Sequence, residues 1–176
     1  MDLDIQPVRL SLREYKQVKQ LYMRAFPKYE REPWTWLLIK SKYQRADFMA
    51  FYDQEQFVGF AYVIHSHGMH YILYLAVNDQ IRSQGYGTRI INELRHLYPE
   101  DSLALDVEQP NPQAANNQQR LRRLKFYRRN GFFPTPKLFK EEKVTFQVLA
   151  TNKKINQRKI DKAFEWFSWP LGWLIQ

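Results

Sequence analysis

Arg82-Ser83-Gln84-Gly85-Tyr86-Gly87-Thr88 joins an apolar run, Leu73 to Val77, to an amphipathic segment from Thr88 to Tyr98. A strand, a short polar turn, two glycines and a helix start carry chemistry in the main chain itself. Glycines without a Cβ let amide N–H groups approach an anion closely, and the helix N-terminus adds partial positive charge. A pyrophosphate fits such a place. Downstream, Leu103-Ala104-Leu105-Asp106-Val107-Glu108 alternates as a strand does. Asp106 and Glu108 therefore share one face and can bind a cation together. Metal chemistry has less support. His65, His67 and His70 straddle Gly68, a turn between two strands, where zinc needs ligands that converge. Surface turn residues are the better reading of that trio, and no metal is expected.

The elements that must position these residues follow from periodicity. Ile5 to Leu10 reads as a first strand, and Ser11 can cap a helix from Leu12 to Ala25. That helix would bury Leu12, Tyr15, Val18, Leu21, Tyr22 and Ala25. A proline-bracketed loop, Phe26 to Pro33, leads to a second helix from Trp34 to Tyr43, with Pro33 suited to its first turn. Ala46 to Tyr52 and Gln56 to His65 form a hairpin, and Met69 to Val77 adds a strand. After the glycine loop and its helix come a strand from Ser102 to Val107 and a polar loop from Asn111 to Asn117. A helix from Gln118 to Arg129 is stopped by Asn130-Gly131 in a left-handed cap. Strands beginning at Phe132 and Lys143 end the series. The order β-α-α-β-β-β-α-β-α-β-β predicts a mixed α/β fold whose sheet has helices on both faces.

At 176 residues, 44% hydrophobic and 16% aromatic, the chain can bury a core, which argues against disorder. It has no cysteine, which excludes disulfides, thiolate metal sites and a cysteine nucleophile. The acidic start, Met1-Asp2-Leu3-Asp4, and the lack of an apolar run long enough to span a bilayer predict a cytoplasmic protein. The net charge of +9 is concentrated. No acidic residue lies between Glu108 and Glu141, whereas Arg120, Arg122, Arg123, Lys125, Arg128, Arg129, Lys137 and Lys140 do. Such a field collects an anionic partner. With few aromatics among the basics and no recognised nucleic-acid motif, a polyphosphorylated small molecule is preferred over nucleic acid.

Leu75-Ala76-Val77 followed by Arg82-x-x-Gly85-x-Gly87 resembles the acetyl-CoA-binding motif of the GNAT superfamily of N-acyltransferases. Lys125-Phe126-Tyr127-Arg128-Arg129-Asn130-Gly131-Phe132 is similar to that family's second signature, a helix ending in Tyr-x-x-x-Gly-Phe. Each motif alone is weak; the pair, in order, is specific. The resemblance covers Ile5 to about Ala150 and implies a mostly antiparallel sheet that splays at the cofactor cleft. Two positions depart from the pattern. Where relatives often carry Asn and Ala, seven and four residues before the tyrosine, this chain has Arg120 and Arg123.

The resemblance implies an acetyl-CoA-dependent transfer of acetyl to a primary amine, by direct attack in a ternary complex. Main-chain N–H groups of Gln84, Gly85, Tyr86, Gly87 and Thr88 would hold the pyrophosphate, with Arg82 adding charge and Thr88 a hydroxyl. Leu75, Ala76 and Val77 would pair with the pantetheine arm, and a main-chain N–H near Val77 would serve the carbonyl oxygen. Arg120 is assigned to the cofactor's phosphates. Tyr127 would touch the cofactor and act as general acid, with the amphipathic core as its other reading. Glu108 is the first candidate for base or base through water, and Asp106 the second; both would also bind the ammonium form. In the Phe26–Pro33 loop, Glu30 and Glu32 would meet a cationic acceptor, with Arg31 as an anion contact and Trp34, Trp36 and Tyr43 as walls. A non-catalytic acyl-CoA-binding or sensor module on the same fold is the alternative.

The C-terminus stands apart. Residues 1–152 form the transferase domain, and 153–176 a basic, aromatic, helical extension holding Trp166, Trp169 and Trp173, three of the five tryptophans. Such a patch requires cover, either from the domain or from a second copy of the chain. A helix lying on a membrane surface is the lesser reading.

Overall fold

The computed structural model describes residues 2–43, 45–66, 68–81, 84–141, 144–152, 155 and 157–168. Seven strands are hydrogen-bonded in the order β1-β2-β3-β4-β5-β7-β6, mostly antiparallel, with helices between them as the periodicity predicts. The chain divides into two compact units, Met1–His65 with Ile72–Pro99 and Ser66–Tyr71 with Glu100–Gln176.

The first unit contains β1 (Asp4–Pro7), α1 (Tyr15–Ala25), α2 (Trp34–Lys40), β2 (Ala46–Asp53), nearly all of β3 (Gln56–Ser66), the later part of β4 (Met69–Val77) and α3 (Tyr86–Leu97). β1 pairs antiparallel with β2 from Asp4↔Tyr52 to Pro7↔Met49, and the β2–β3 hairpin is interrupted by a bulge at Phe51/Tyr52. β1 ends at Pro7, which has no N–H for a ladder, and Leu10 beyond it is exposed.

α1 starts three residues later than its apolar pattern suggests, and Ser11 does not cap it. Glu14 holds the cap position without a side-chain capping bond, because its carboxylate accepts the Tyr52 hydroxyl at 3.0 Å. The predicted face is otherwise buried through Val18, Leu21 and Tyr22. Tyr22 centres an aromatic cluster, with ring centroids 5.0 Å from Tyr74, 5.5 Å from Trp34, 5.7 Å from Phe26 and 6.2 Å from Phe60. Fully burying each such ring contributes about 1.5–3 kcal/mol. α2 begins after Pro33 as expected but stops at Lys40, leaving Tyr43 exposed.

The second unit contains Met69–Tyr71 of β4 with β5 (Ser102–Glu108), α4 (Asn117–Arg129), β6 (Phe133–Glu141), β7 (Val144–Ala150) and α5 (Gln157–Ser168). The parallel β4–β5 ladder runs from Met69↔Ser102 only to Tyr71↔Ala104, although β4 continues to Val77 and β5 to Glu108. β7 lies antiparallel between β5 and β6. β6 ends the order, which suits its Pro134 and Pro136, since an edge strand tolerates missing donors. α5 packs through Ile160, Ala163 and Phe167, all buried, and through Phe164, whose ring lies 4.8 Å from Tyr71 and 5.9 Å from Phe139. Ser66 Oγ donates to the Lys159 carbonyl and Lys137 Nζ to Asp161. Arg82, His67, Trp169 and Trp173 lie outside the described residues.

Candidate functional site

In the first unit, the glycine loop closes onto the start of α3. Gly85 takes the cap position at φ +78°, ψ 3°, a left-handed conformation that L side chains avoid. A Cβ built on it would meet nothing within 4 Å, so the space beside the loop is open. The Gly85 carbonyl accepts the Thr88 and Arg89 N–H groups at 3.0 and 3.1 Å. The N–H groups of Tyr86 and Gly87 precede the helical ladder and have no intrahelical acceptor, and no side chain caps this end. The combination suits a pyrophosphate.

Below the loop, Asp53 holds the helix start. It accepts the Tyr86 hydroxyl at 3.0 Å and Arg89 Nη1 at 2.5 Å, and these bonds draw its carboxyl below the usual range. Tyr86 is therefore an anchor whose main chain, not side chain, faces the loop. Leu75 and Val77 are half-buried and Ala76 is buried. Gly59 lets β3 lie flush with them, because an added Cβ would overlap the Ala76 carbonyl oxygen. Asn78 fastens the strand end, its N–H bonded to the Val58 carbonyl and its Nδ2 to that of Phe57.

The loop ahead of α2 is pinned by its main chain. The Tyr74 hydroxyl donates to the Glu30 carbonyl at 2.7 Å and accepts the Glu32 N–H at 3.0 Å, while the Tyr22 hydroxyl donates to the Glu32 carbonyl. Burial pushes the Tyr22 phenol up to about 12. Trp34 is core, with Nε1 on the Tyr15 hydroxyl, and Trp36 lies under Lys40. Arg31 Nε is buried without a hydrogen-bond partner among the described residues.

In the second unit, the end of α4 explains why tyrosine, glycine and phenylalanine recur at this spacing. Gly131 adopts φ +73°, its N–H donates to the Arg128 carbonyl, and the Phe132 N–H reaches back to the Tyr127 carbonyl at 3.1 Å. This is the Schellman arrangement, and its apolar contact is the fully buried Phe132 ring 5.7 Å from the Tyr127 ring. The cap thus fixes the tyrosine's position. No hydrogen bond reaches the Tyr127 hydroxyl from the other described residues. Burial pushes this phenol up to about 12, with Arg123 pulling it down and Asp106 pushing it up.

The two carboxylates of β5 have different partners. Glu108 is buried and its Oε2 is engaged by Arg120 Nε at 3.0 Å and Asn116 Nδ2 at 2.8 Å. Arg120 also donates to Asn116 Oδ1 and to the Gln109 carbonyl. The position expected on a phosphate instead closes a buried ion pair, because the arginine that replaces the usual asparagine finds its counter-charge on the neighbouring strand. Asp106 accepts the Tyr71 hydroxyl. Tyr71 and Asn116's bridge were not readable beforehand; strand alternation shows Tyr71 only as one more inward residue.

The exposed face of α4 presents Leu121, Arg122, Lys125, Arg128 and Arg129, and a shallow groove runs along Leu121, Leu124, Lys125, Arg128 and Arg129. His65 pairs with Asp47 at 3.1 Å, and His70 with Asp101 at 2.8 Å. Among the described residues, no three His, Asp or Glu converge as metal ligands, and no helix is long and apolar enough to cross a membrane.

The family model described as "Acetyltransferase (GNAT) family" matches residues 15–132. Comparison with curated proteins finds no match. Among solved structures, a protein assigned to the GNAT family of acetyltransferases, from Bacteroides thetaiotaomicron, superposes with a TM-score of 0.73 at 20% identity, covering 94% of this chain and 95% of that one. An aminoglycoside 6′-N-acetyltransferase complexed with coenzyme A gives 0.64 at 14% identity, over 87% and 98%. A GNAT family acetyltransferase from Elizabethkingia anophelis with acetyl-CoA bound gives 0.57 at 14%, over 86% and 98%.

Proposed function

The chain belongs to the GNAT family of acetyltransferases, and from that premise we propose that it moves an acetyl group from acetyl-CoA to a primary amine by direct attack. The observation that carries the reading is the glycine loop: Gly85 in the left-handed region, open space where its side chain would stand, and two helix N–H groups without an intrahelical acceptor. Two structural neighbours are described as holding coenzyme A and acetyl-CoA, which supports the same ligand here.

Bound acetyl-CoA would supply an activated carbonyl carbon and a thiolate leaving group. The N–H groups of Tyr86 and Gly87 would hold its pyrophosphate, with Gln84, Thr88 and Arg82 beside them and Leu75, Ala76 and Val77 along the pantetheine. Arg120 is committed to Glu108, which leaves the phosphates to the loop. Tyr127 would donate a proton to the departing sulfur. A phenol near 12 stays protonated throughout the neutral range, and its hydroxyl has no competing partner among the described residues. Alkylamines with pKa ~10.4 are almost wholly charged at neutral pH, so a carboxylate must accept a proton before attack. β5 offers Asp106 and Glu108. Glu30 would meet the acceptor through its side chain, since its carbonyl is held by Tyr74.

The alternative of a binding module rests on the Arg120 and Arg123 departures, and the Glu108 pair accounts for Arg120 without it. The test is a thermal shift with CoA and acetyl-CoA, followed by thiol release over a panel of primary amines. Stabilisation by both ligands and amine-dependent thiol release are expected. Stabilisation with no release on any amine would favour the binding module.

A further inference from the structure

Resting on the transferase reading above, we propose that Asp106 is the proton acceptor and that Tyr71, lying against α5, is the residue that positions it. The two carboxylates of β5 differ in what already holds them. Glu108 carries a guanidinium and an amide on one oxygen, so taking a proton there means breaking a buried ion pair. Among the described residues, no Lys, Arg or His forms an ion pair with Asp106. Its carboxylate is bonded by the Tyr71 hydroxyl on Oδ1, at 2.5 Å, and by its own main-chain N–H. A neutral donor fixes the direction of a carboxylate without cancelling its charge, which leaves it available to an ammonium group.

Among the described residues, the charged and titratable groups that face Asp106 are Tyr71 on β4, Arg123 and Tyr127 on α4, and Glu141 on β6. Burial is the largest influence and raises its pKa; Glu141 acts the same way, and Tyr71 and Arg123 oppose it. The balance stands at about 6. Such a carboxylate is ionised above neutrality yet roughly 100-fold more basic than an ordinary aspartate at ~3.9.

Tyr71 is fully buried, and its ring meets Phe164 of α5 edge-on. The aromatic C-terminal segment thereby gains a task, holding Tyr71 where its hydroxyl reaches Asp106. In the step, one ammonium proton passes to Asp106 and the amine nitrogen bonds to the thioester carbonyl carbon. The C–S bond breaks, and the sulfur takes the Tyr127 proton. The nitrogen gives up its second proton as the amide forms, which restores the Tyr127 hydroxyl through solvent, and Asp106 releases its proton to solvent.

The experiment compares wild type, Asp106→Asn and Tyr71→Phe with acetyl-CoA and three probes: spermidine, tyramine and a lysine-bearing peptide. Asp106→Asn should cost at least about 100-fold in turnover while CoA affinity is unchanged. Because the folded pKa lies above the unfolded one, the stability tied to protonated Asp106 is present below about 4 and lost as pH rises through about 6. The asparagine variant should therefore melt no lower than wild type at pH 8, which a purely structural residue would not show. Tyr71→Phe removes a bond to the charged form, so the acid limb of kcat/KM, and the carboxyl-carbon NMR titration of Asp106, should both move upward. Full turnover in Asp106→Asn, an ordinary aspartate titration in wild type, or an unmoved limb in Tyr71→Phe would overturn the proposal. A wild type silent with all three probes would defeat the transferase reading itself, whereas turnover that Asp106→Asn retains defeats only this assignment.

Discussion

Tyr127→Phe is expected to lower turnover by about 10²–10⁴-fold while leaving CoA affinity within about twofold. The substitution removes one oxygen and keeps the ring, so the edge contacts with Phe126 and Phe132 persist, as does the Schellman cap made by the main chain. The deleted hydroxyl has no hydrogen-bond partner among the described residues, and its loss strands no other polar group. Stability should accordingly change by less than about 1 kcal/mol. The separation matters: a tyrosine that merely filled the core would show little loss of rate. Thiol-release kinetics and a melting curve on the same preparation decide it, and undiminished turnover removes Tyr127 from the chemistry.

Arg120→Ala carries the largest expected effect on folding. Glu108 and Arg120 side chains are only 5% and 10% exposed, so deleting the guanidinium takes away the counter-charge 3.0 Å from a buried carboxylate. Breaking such a pair from one side costs about 3–5 kcal/mol, because the stranded charge keeps its desolvation penalty. Replacing both partners, Arg120→Leu with Glu108→Leu, should recover most of that loss. Urea denaturation of the two single variants and the double variant tests it. Near-additive effects would mean that the residues act independently, contrary to their 3.0 Å contact.

These two residues also mark how far the sequence was legible. Element order followed from apolar periodicity, as in α1 and α3, which each bury one apolar face. The stop of α4 was visible in Asn130-Gly131, since only glycine takes that left-handed turn cheaply. The start of α1 was not. Ser11 looks like a cap, but a carboxylate three residues on is claimed by Tyr52, a partner 38 residues away.

The same distinction divides the site. Gly85 is local chemistry and reads directly, and the cap that fixes Tyr127 is local too. The Arg120–Glu108 pair links a helix to a strand 12 residues earlier, and Tyr71 meets Asp106 across 35 residues. Alternation placed Asp106 and Glu108 on one face, yet it carries no information on which cation or hydroxyl would reach each. The aromatic extension was readable only as a surface needing cover; the part of it in α5 finds that cover on Tyr71 and Phe139.

The central claim is that a diphosphate-bearing thioester carrier rests on the amides at the start of α3. Titration calorimetry of CoA into wild type and Gly85→Val tests it most directly, with circular dichroism confirming that the variant keeps its fold. A valine at φ +78° costs about 1–2 kcal/mol locally and fills the open space beside the loop. The account predicts saturable heat with wild type and at least about tenfold weaker binding in the variant. No saturable heat with wild type, or equal affinity in a folded Gly85→Val, would contradict it.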